Sequence, residues 1–232
     1  MTYAFQRPPS AWLDDRSHAE QLLGAYLTPS LFTGALWDPS IQRRLGPDSC
    51  NVIEIEDLYA PALLSATIEK RSAMQIVEQR STITGHLCSI PPDLTLWDAD
   101  KAKVLESLAH AEDLAKLLDD IHHIGDTKAS KLLAAKRPML LPIWDKQVAY
   151  ALGASRKMTW IQYWTAWRDD LTPEVVRKSE SIAATSGQAD LSPLRVLDIV
   201  IWMDAWGWRD LPSAGMDNLR QACEQRNEAA RR

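Results

Sequence analysis

Residues 114–136 read LAKLLDDIHHIGDTKASKLLAAK and carry the clearest structural pattern in the chain. Apolar residues recur at helical spacing on both sides of a break at Ile124-Gly125-Asp126. Glycine accepts the positive φ that a tight turn needs, and Asp126 or Thr127 can cap the helix that follows. The pattern therefore predicts two helices joined by a short turn.

The rest of the chain is also mostly helical in pattern. Apolar spacing and capping residues predict helices over 17–27, 56–69, 70–80, 101–121 (as one helix or two), 126–136, 145–152, 159–170, 173–185, 191–206 and 214–228. The segments LFTGALW (31–37) and NVIEI (51–55) favour strands, enough for one small N-terminal β-hairpin. No repeat or low-complexity linker divides the chain, so we expect an all-α protein with a single domain over 1–232.

The composition is that of a globular protein, with 46% hydrophobic and 25% charged residues. No apolar run approaches the length of a membrane span, and the first ten residues lack the layout of a secretory signal. The three cysteines, Cys50, Cys88 and Cys223, are widely separated, which excludes a CxxC-type metal or iron–sulfur site. We therefore expect a cytoplasmic protein with no membrane contact, no metal and no cofactor.

Positive charge is concentrated in one segment of an acidic chain. Residues 128–157, the basic segment, carry +6, while the other 202 residues carry −11. Its only acid is Asp145, and its basic residues are Lys128, Lys131, Lys136, Arg137, Lys146, Arg156 and Lys157. A basic stripe of this kind can contact phosphates along one face, although a solvated helix face explains it equally well.

The turn between the two helices also suggests an anion site. The free backbone N–H groups at the start of the second helix are expected to point outward beside Lys128 and Lys131. Exposed amides at a helix N-terminus, with lysines alongside, suit a phosphate group.

Residues 114–136 resemble the helix-hairpin-helix DNA-binding motif, which is usually written with hairpin glycines two positions apart. Gly125 corresponds to the second glycine, and His123 stands at the first. The passage that follows is similar to the helix-hairpin-helix (HhH-GPD-like) DNA glycosylase superfamily. There a proline, an apolar run and an aspartate lead into a helix, and here Asp145 opens that helix within residues 142–152.

The resemblance implies a two-lobed helical fold with a cleft, and a catalytic role for Asp145. Its carboxylate would stabilise the oxocarbenium sugar of a flipped nucleotide and orient or activate water. Thr127 lies 18 residues before Asp145, where bifunctional members carry a Schiff-base lysine, and Lys128 should point elsewhere. The resemblance thus implies a monofunctional DNA glycosylase without lyase activity, a monomer acting on double-stranded DNA with a flipped base.

The same resemblance implies further site residues and a substrate. The expected DNA contacts are Ile124, Gly125, Thr127, Lys128, Lys131 and Lys146, and the candidate pocket residues are His122, His123, Trp144 and Gln147. Adjacent histidines at a helix end more often cap its carbonyls, and solvent exposure explains Lys146 and Gln147 equally well. Other passages, such as SPLRVLDIVIWM, look similar to a small bacterial family of largely uncharacterised function. Some bacterial glycosylases of comparable size excise hypermodified bases from phage DNA, so an antiviral role is a further implication.

Two other classes of function stay open. A non-catalytic helix-hairpin-helix DNA-binding module needs Gly125 and the lysines but no particular residue at position 145. In that case Asp145 is only a helix cap, a role that aspartate often has. A protein-interaction domain would instead use the basic segment to bind an acidic partner.

Two patterns outside this region have structural explanations. Trp160, Trp164 and Trp167 recur at helical spacing, which predicts packing between helices. Arg195 and Asp198 are i, i+3 neighbours, which predicts a helix ion pair that contributes little by itself.

Overall fold

The computed structural model describes residues 4–42, 45–46, 49–212 and 216–230. Within these ranges the chain forms twelve α-helices and three 3-10 helices, with no β-strand, so the all-α prediction is confirmed. The α-helices are α1 (Arg16–Tyr26), α2 (Trp37–Gln42), α3 (Ile55–Leu63), α4 (Lys70–Glu78), α5 (Arg80–Cys88), α6 (Lys101–Asp119), α7 (Gly125–Lys136), α8 (Lys146–Ala151), α9 (Trp160–Asp170), α10 (Pro173–Thr185), α11 (Pro193–Ala205) and α12 (Asp217–Ala230). The 3-10 helices are Pro9–Leu13, Thr33–Leu36 and Gly207–Asp210. No helix of the described ranges is both long and apolar enough to cross a membrane.

The β-hairpin prediction is wrong. Residues 31–37 form a 3-10 turn that leads into α2, and residues 51–55 lead into α3. Phe32 stacks on Tyr26, with ring centroids 5.5 Å apart, and this packing buries Phe32 without strand pairing. Asp57 and the residue that caps α3 form a reciprocal capping box. These two hydrogen bonds stabilise the start of the helix, which therefore forms despite the strand propensity of NVIEI.

The helix predicted over 56–69 ends early, at Leu63, in a Schellman motif. Ser65 has a positive φ of 59° and donates its backbone N–H to Ala62, while the N–H of Ala66 reaches back to Pro61. These bonds satisfy the last carbonyls of α3 and turn the chain away.

Other differences from the predicted helices are small. The run 101–121 forms one helix, α6, rather than two. Helix α5 was not predicted, since its sequence RSTITGHLC mixes polar and apolar residues. The predicted start of the last helix, residue 214, lies outside the described residues, and α12 begins at Asp217.

Helix α11 is the centre of the apolar core. Nearly all of its residues are buried, and it contacts α1, α8, α10 and α12. The main core cluster has members from Trp12 to Cys223, and a smaller cluster lies around Trp37. The predicted packing of the tryptophans on α9 is confirmed, because Trp164 and Trp167 are fully buried.

Helices α6 and α7 pack together as the predicted helical hairpin. His123 and Gly125 both adopt a positive φ, at 61° and 60°, so the expected turn geometry at Gly125 is confirmed. The prediction that Asp126 or Thr127 caps the second helix is wrong. Helix α7 already begins at Gly125, and its N-cap residue Ile124 makes no side-chain capping bond.

Candidate functional site

Asp145 lines a cavity of about 360 Å³, which we call the Asp145 cavity. Its walls come from the end of α1, the Thr33–Leu36 turn, the end of α3, and helices α7 and α11. The residues discussed below that line it are Tyr26, Phe32, Gly34, Thr127, Lys131, Asp145, Arg195, Asp198 and Trp202. The volume falls in the range of small-molecule pockets.

The two oxygens of the Asp145 carboxylate have different partners. Oδ1 accepts the backbone N–H of Gln147 at 2.8 Å, which caps α8. Oδ2 lies 3.7 Å from the Nζ of Lys131. The capping interpretation is therefore confirmed, and the same side chain also lines the cavity.

Lys131 does not lie at the surface of the hairpin, so the predicted position beside the free amides is wrong. Its side chain is only 5% exposed, and Nζ donates to the carbonyl of Leu64 at 2.7 Å. Burial lowers the pKa of Lys131, and the charges of Asp145 and Asp198 oppose that shift. Lys131 is a cavity residue and cannot reach a surface phosphate.

The basic stripe is also interrupted at Lys136 and Arg137, both of which are buried. Lys136 Nζ lies 2.5 Å from Asp57 Oδ2. The Arg137 guanidinium donates to the carbonyls of Leu87 and Ile90, among other acceptors. These two cations hold helices and loops together, so the prediction of a continuous phosphate-facing stripe is wrong.

A second concavity of about 560 Å³, the hairpin groove, lies along the turn. It brings together five of the six predicted DNA contacts, with Lys131 as the exception: Ile124, Gly125, Thr127, Lys128 and Lys146. Arg156 and Tyr150, which is 80% exposed, line it as well. Thr127 and Ser65 line both the groove and the Asp145 cavity, so the two sites adjoin.

The four predicted pocket residues do not line the Asp145 cavity. His122 and His123 are exposed and stack on each other, and His123 Nδ1 lies 3.0 Å from Glu69 Oε2. Trp144 stacks on the core residue Tyr163, with centroids 4.5 Å apart, and borders the hairpin groove instead.

Gln147 is the fourth of these residues. Its backbone N–H serves as the partner of the Asp145 cap. None of the four positions belongs to the Asp145 cavity, and their part in a substrate pocket stays a prediction.

The floor of the cavity is a buried network around Arg195 that sequence patterns did not reveal. Its Nε donates to Asp38 Oδ2 at 3.1 Å, and its two terminal nitrogens donate to Asp198 Oδ2 at 2.5 Å and to the Tyr26 hydroxyl at 2.7 Å. Burial raises the pKa of Tyr26 and raises that of Asp198 to about 6. The predicted i, i+3 ion pair is confirmed, but it is buried and belongs to a network over three helices rather than standing by itself.

Gly34 makes room for this network. A Cβ atom at Gly34 would overlap the Tyr26 hydroxyl. The hydroxyl can therefore reach Arg195 only while residue 34 has no side chain.

Outside the cavity, His18, Asp204 and Cys223 place donor atoms within 4.8 Å of one another in the core. His18 Nε2 lies 2.8 Å from Asp204 Oδ1, and Trp12 Nε1 donates to Asp204 Oδ2 at 3.1 Å. Burial raises the pKa of Cys223 to about 12, which keeps its sulfur a neutral thiol. The cluster is best described as a hydrogen-bonded core network.

Fold and site together define an all-helical protein in which a charged, aromatic-walled cavity adjoins a helical hairpin. Residues 19–205 match the model described as "Family of unknown function (DUF6308)", and the chain belongs to that family. The matched range includes the hairpin, Asp145 and the whole Arg195 network. No curated protein and no solved structure matches the chain.

Proposed function

We infer that this protein is a monofunctional DNA glycosylase. It flips a damaged or modified base out of double-stranded DNA and hydrolyses its N-glycosidic bond, leaving an abasic site. The observation that carries the proposal is the position of Asp145, whose carboxylate lines a 360 Å³ cavity next to the hairpin groove. A hypermodified phage base remains among the candidate substrates.

The geometry of the hairpin supports DNA binding of the helix-hairpin-helix kind. The two positive φ angles, at His123 and Gly125, are two residues apart, which is the spacing of the hairpin glycines in that motif. The start of α7 has no side-chain cap, so its amides suit a phosphate. Lys128 and Lys146 in the hairpin groove add positive charge, and the helices around the cavity would form the two lobes of a glycosylase-like fold.

The cavity supports the chemistry. Phe32 and Trp202 supply aromatic walls on which a flipped base can stack. The bond from Gln147 fixes one oxygen of Asp145, and the other can face the sugar carbon, where positive charge develops. Thr127 contributes no amine, which favours attack by water over a Schiff base.

The first test compares wild type, Asp145→Asn and Asp100→Asn on duplexes that contain different modified bases, including phage-type modified DNA. Asparagine caps helices as well as aspartate, so Asp145→Asn removes the charge but keeps α8 capped. We expect abasic sites, seen as strand breaks after alkali, to form about 10²–10³-fold more slowly with Asp145→Asn. Asp100 caps α6 through Lys103 N at 3.1 Å, away from the cavity, and Asp100→Asn should match wild type.

Abasic sites that form equally fast with Asp145→Asn would refute the catalytic role of this carboxylate. A wild type that binds DNA but releases no base from any substrate would favour the non-catalytic module.

A second test addresses the hairpin itself. Lys128→Met and Lys146→Met should each reduce the slope of the logarithm of the DNA association constant against the logarithm of the salt concentration by about 1. Lys157→Met, at an exposed residue outside the groove, should leave that slope unchanged. In Gly125→Ala the new methyl group has no atom within 4 Å, but alanine must adopt a φ of 60°, which strains the turn. We therefore expect this variant to bind DNA more weakly. Unchanged salt slopes in both lysine variants would contradict DNA binding at the groove.

A further inference from the structure

Asp198 is a second carboxylate in the Asp145 cavity. Its Oδ2 accepts from Arg195, while Oδ1 has no hydrogen-bond partner among the described residues. The side chain is only 10% exposed, and it lines the cavity. Oδ1 is not one of the fully buried side-chain atoms, so it is open to the cavity and can accept from or donate to a ligand.

The two carboxylates have different surroundings. Asp145 accepts a backbone N–H and lies 3.7 Å from the Nζ of Lys131. Burial raises the pKa of Asp198 to about 6; the charge of Asp145 adds to this, and Arg195 and Lys131 oppose it. The charged or titratable groups around it are Arg195 on its own helix, Asp145, Lys131, Tyr26, Asp38 and the exposed Asp210 of the same cavity. Two carboxyl groups in one site with different surroundings can divide acid and base roles.

We propose that Asp198 is the second catalytic carboxylate and donates a proton to the departing base, while Asp145 faces the sugar. This inference rests on the proposed glycosylase function and adds to it a general acid and a substrate class.

The proton balance is complete without a further reactant. As the C1′–N bond breaks, its electron pair stays on the base, and the proton of the Asp198 carboxyl group neutralises the base. Water adds to C1′ and gives a proton to the Asp145 carboxylate, and exchange with solvent restores both groups.

The same chemistry selects the class of base. A neutral base leaves poorly as an anion and gains from a proton donor, whereas a cationic N7-alkylated purine needs none. The cavity therefore fits neutral bases that present an acceptor atom to Asp198, with the Tyr26 hydroxyl as a second polar contact.

The test is single-turnover base release between pH 5 and pH 9. The rate of base release by wild type should fall about tenfold per pH unit well above pH 6, because the protonated form of Asp198 disappears. Asp198→Asn should be about 10²-fold slower at pH 6 but nearly independent of pH, so the two curves converge at high pH. Asp198→Glu should restore the sloping profile, and Asp190→Asn, the same substitution at an exposed loop residue, should match wild type.

Several outcomes would overturn the inference. One is an Asp198→Asn profile that keeps both the wild-type rate and the wild-type slope. Another, which needs no variant to fold, is a wild-type rate that does not fall between pH 6 and pH 9.

Release of N7-methylguanine as fast as the best neutral base would overturn the substrate class. A wild type that releases no base at all would remove the proposed function together with this inference. The failures are therefore distinguishable.

Discussion

Replacing Lys136 by methionine should destabilise the protein strongly, although sequence patterns place this residue on a solvated basic face. Its ammonium lies 2.5 Å from Asp57 Oδ2, and the two side chains are only 1% and 2% exposed. Methionine keeps most of the volume but removes the ammonium that faces the buried Asp57 carboxylate. Breaking one side of such a pair costs about 3–5 kcal/mol, against about 0–1 kcal/mol for a surface lysine.

The assay is thermal and urea unfolding of wild type, Lys136→Met and Lys157→Met. For a chain of this size, 1 kcal/mol shifts Tm by about 2–4 °C, so Lys136→Met should lower it by about 6–20 °C. The exposed Lys157 is the matched control and should shift Tm by no more than a few degrees. The double variant Lys136→Met/Asp57→Asn should recover part of the loss. A Lys136→Met protein as stable as Lys157→Met would refute the burial of this pair.

Three further predictions concern the cavity and the core. Gly34→Ala should cost about 1–3 kcal/mol in unfolding free energy, because its methyl group meets the Tyr26 hydroxyl, and Tyr26→Phe in the same chain should return part of it. Alkylation of the folded protein followed by mass spectrometry should label the exposed Cys88 and spare Cys223, whose thiol is buried with its pKa raised to about 12; labelling of both at equal rates would contradict this. Since the folded pKa of Asp198 is about 6 and the unfolded value about 4, the folded state binds the proton more tightly. The ionisation of Asp198 should therefore lower the free energy of unfolding by about 1–3 kcal/mol as pH rises from 4 to 6. Urea titrations of wild type and Asp198→Asn at each pH measure this loss as the difference between their unfolding free energies. A difference that stays constant with pH would contradict the prediction.

The elements that sequence predicted well are those set by local spacing. The helical hairpin follows from apolar residues at i, i+3 and i+4 around Gly125, and the α8 cap follows from an aspartate after an apolar run. The resemblance singled out Asp145, whose carboxylate lines the cavity, and its catalytic role stays a prediction. Local patterns of this kind survive folding because few distant residues compete with them.

What sequence could not predict depends on distant partners. Arg195 joins Tyr26, Asp38 and Asp198, of which only Asp198 lies near it in sequence. The sequence favoured a surface position for Lys131 because its acceptor, the Leu64 carbonyl, is brought next to it only by the turn that ends α3. A long cationic side chain can extend either to solvent or to a buried carbonyl, and helical spacing alone does not choose.

The guanidinium beneath the cavity limits how the binding preference of this fold can change. Arg195 donates to three side chains at once, so replacing any one of them leaves a buried donor of the guanidinium without its acceptor. Phe32 and Trp202 line the cavity but lie outside this network. Variation among relatives, or redesign in the laboratory, should therefore alter the aromatic walls first and keep the polar floor, so that new ligands are accommodated by shape rather than by a new charge pattern.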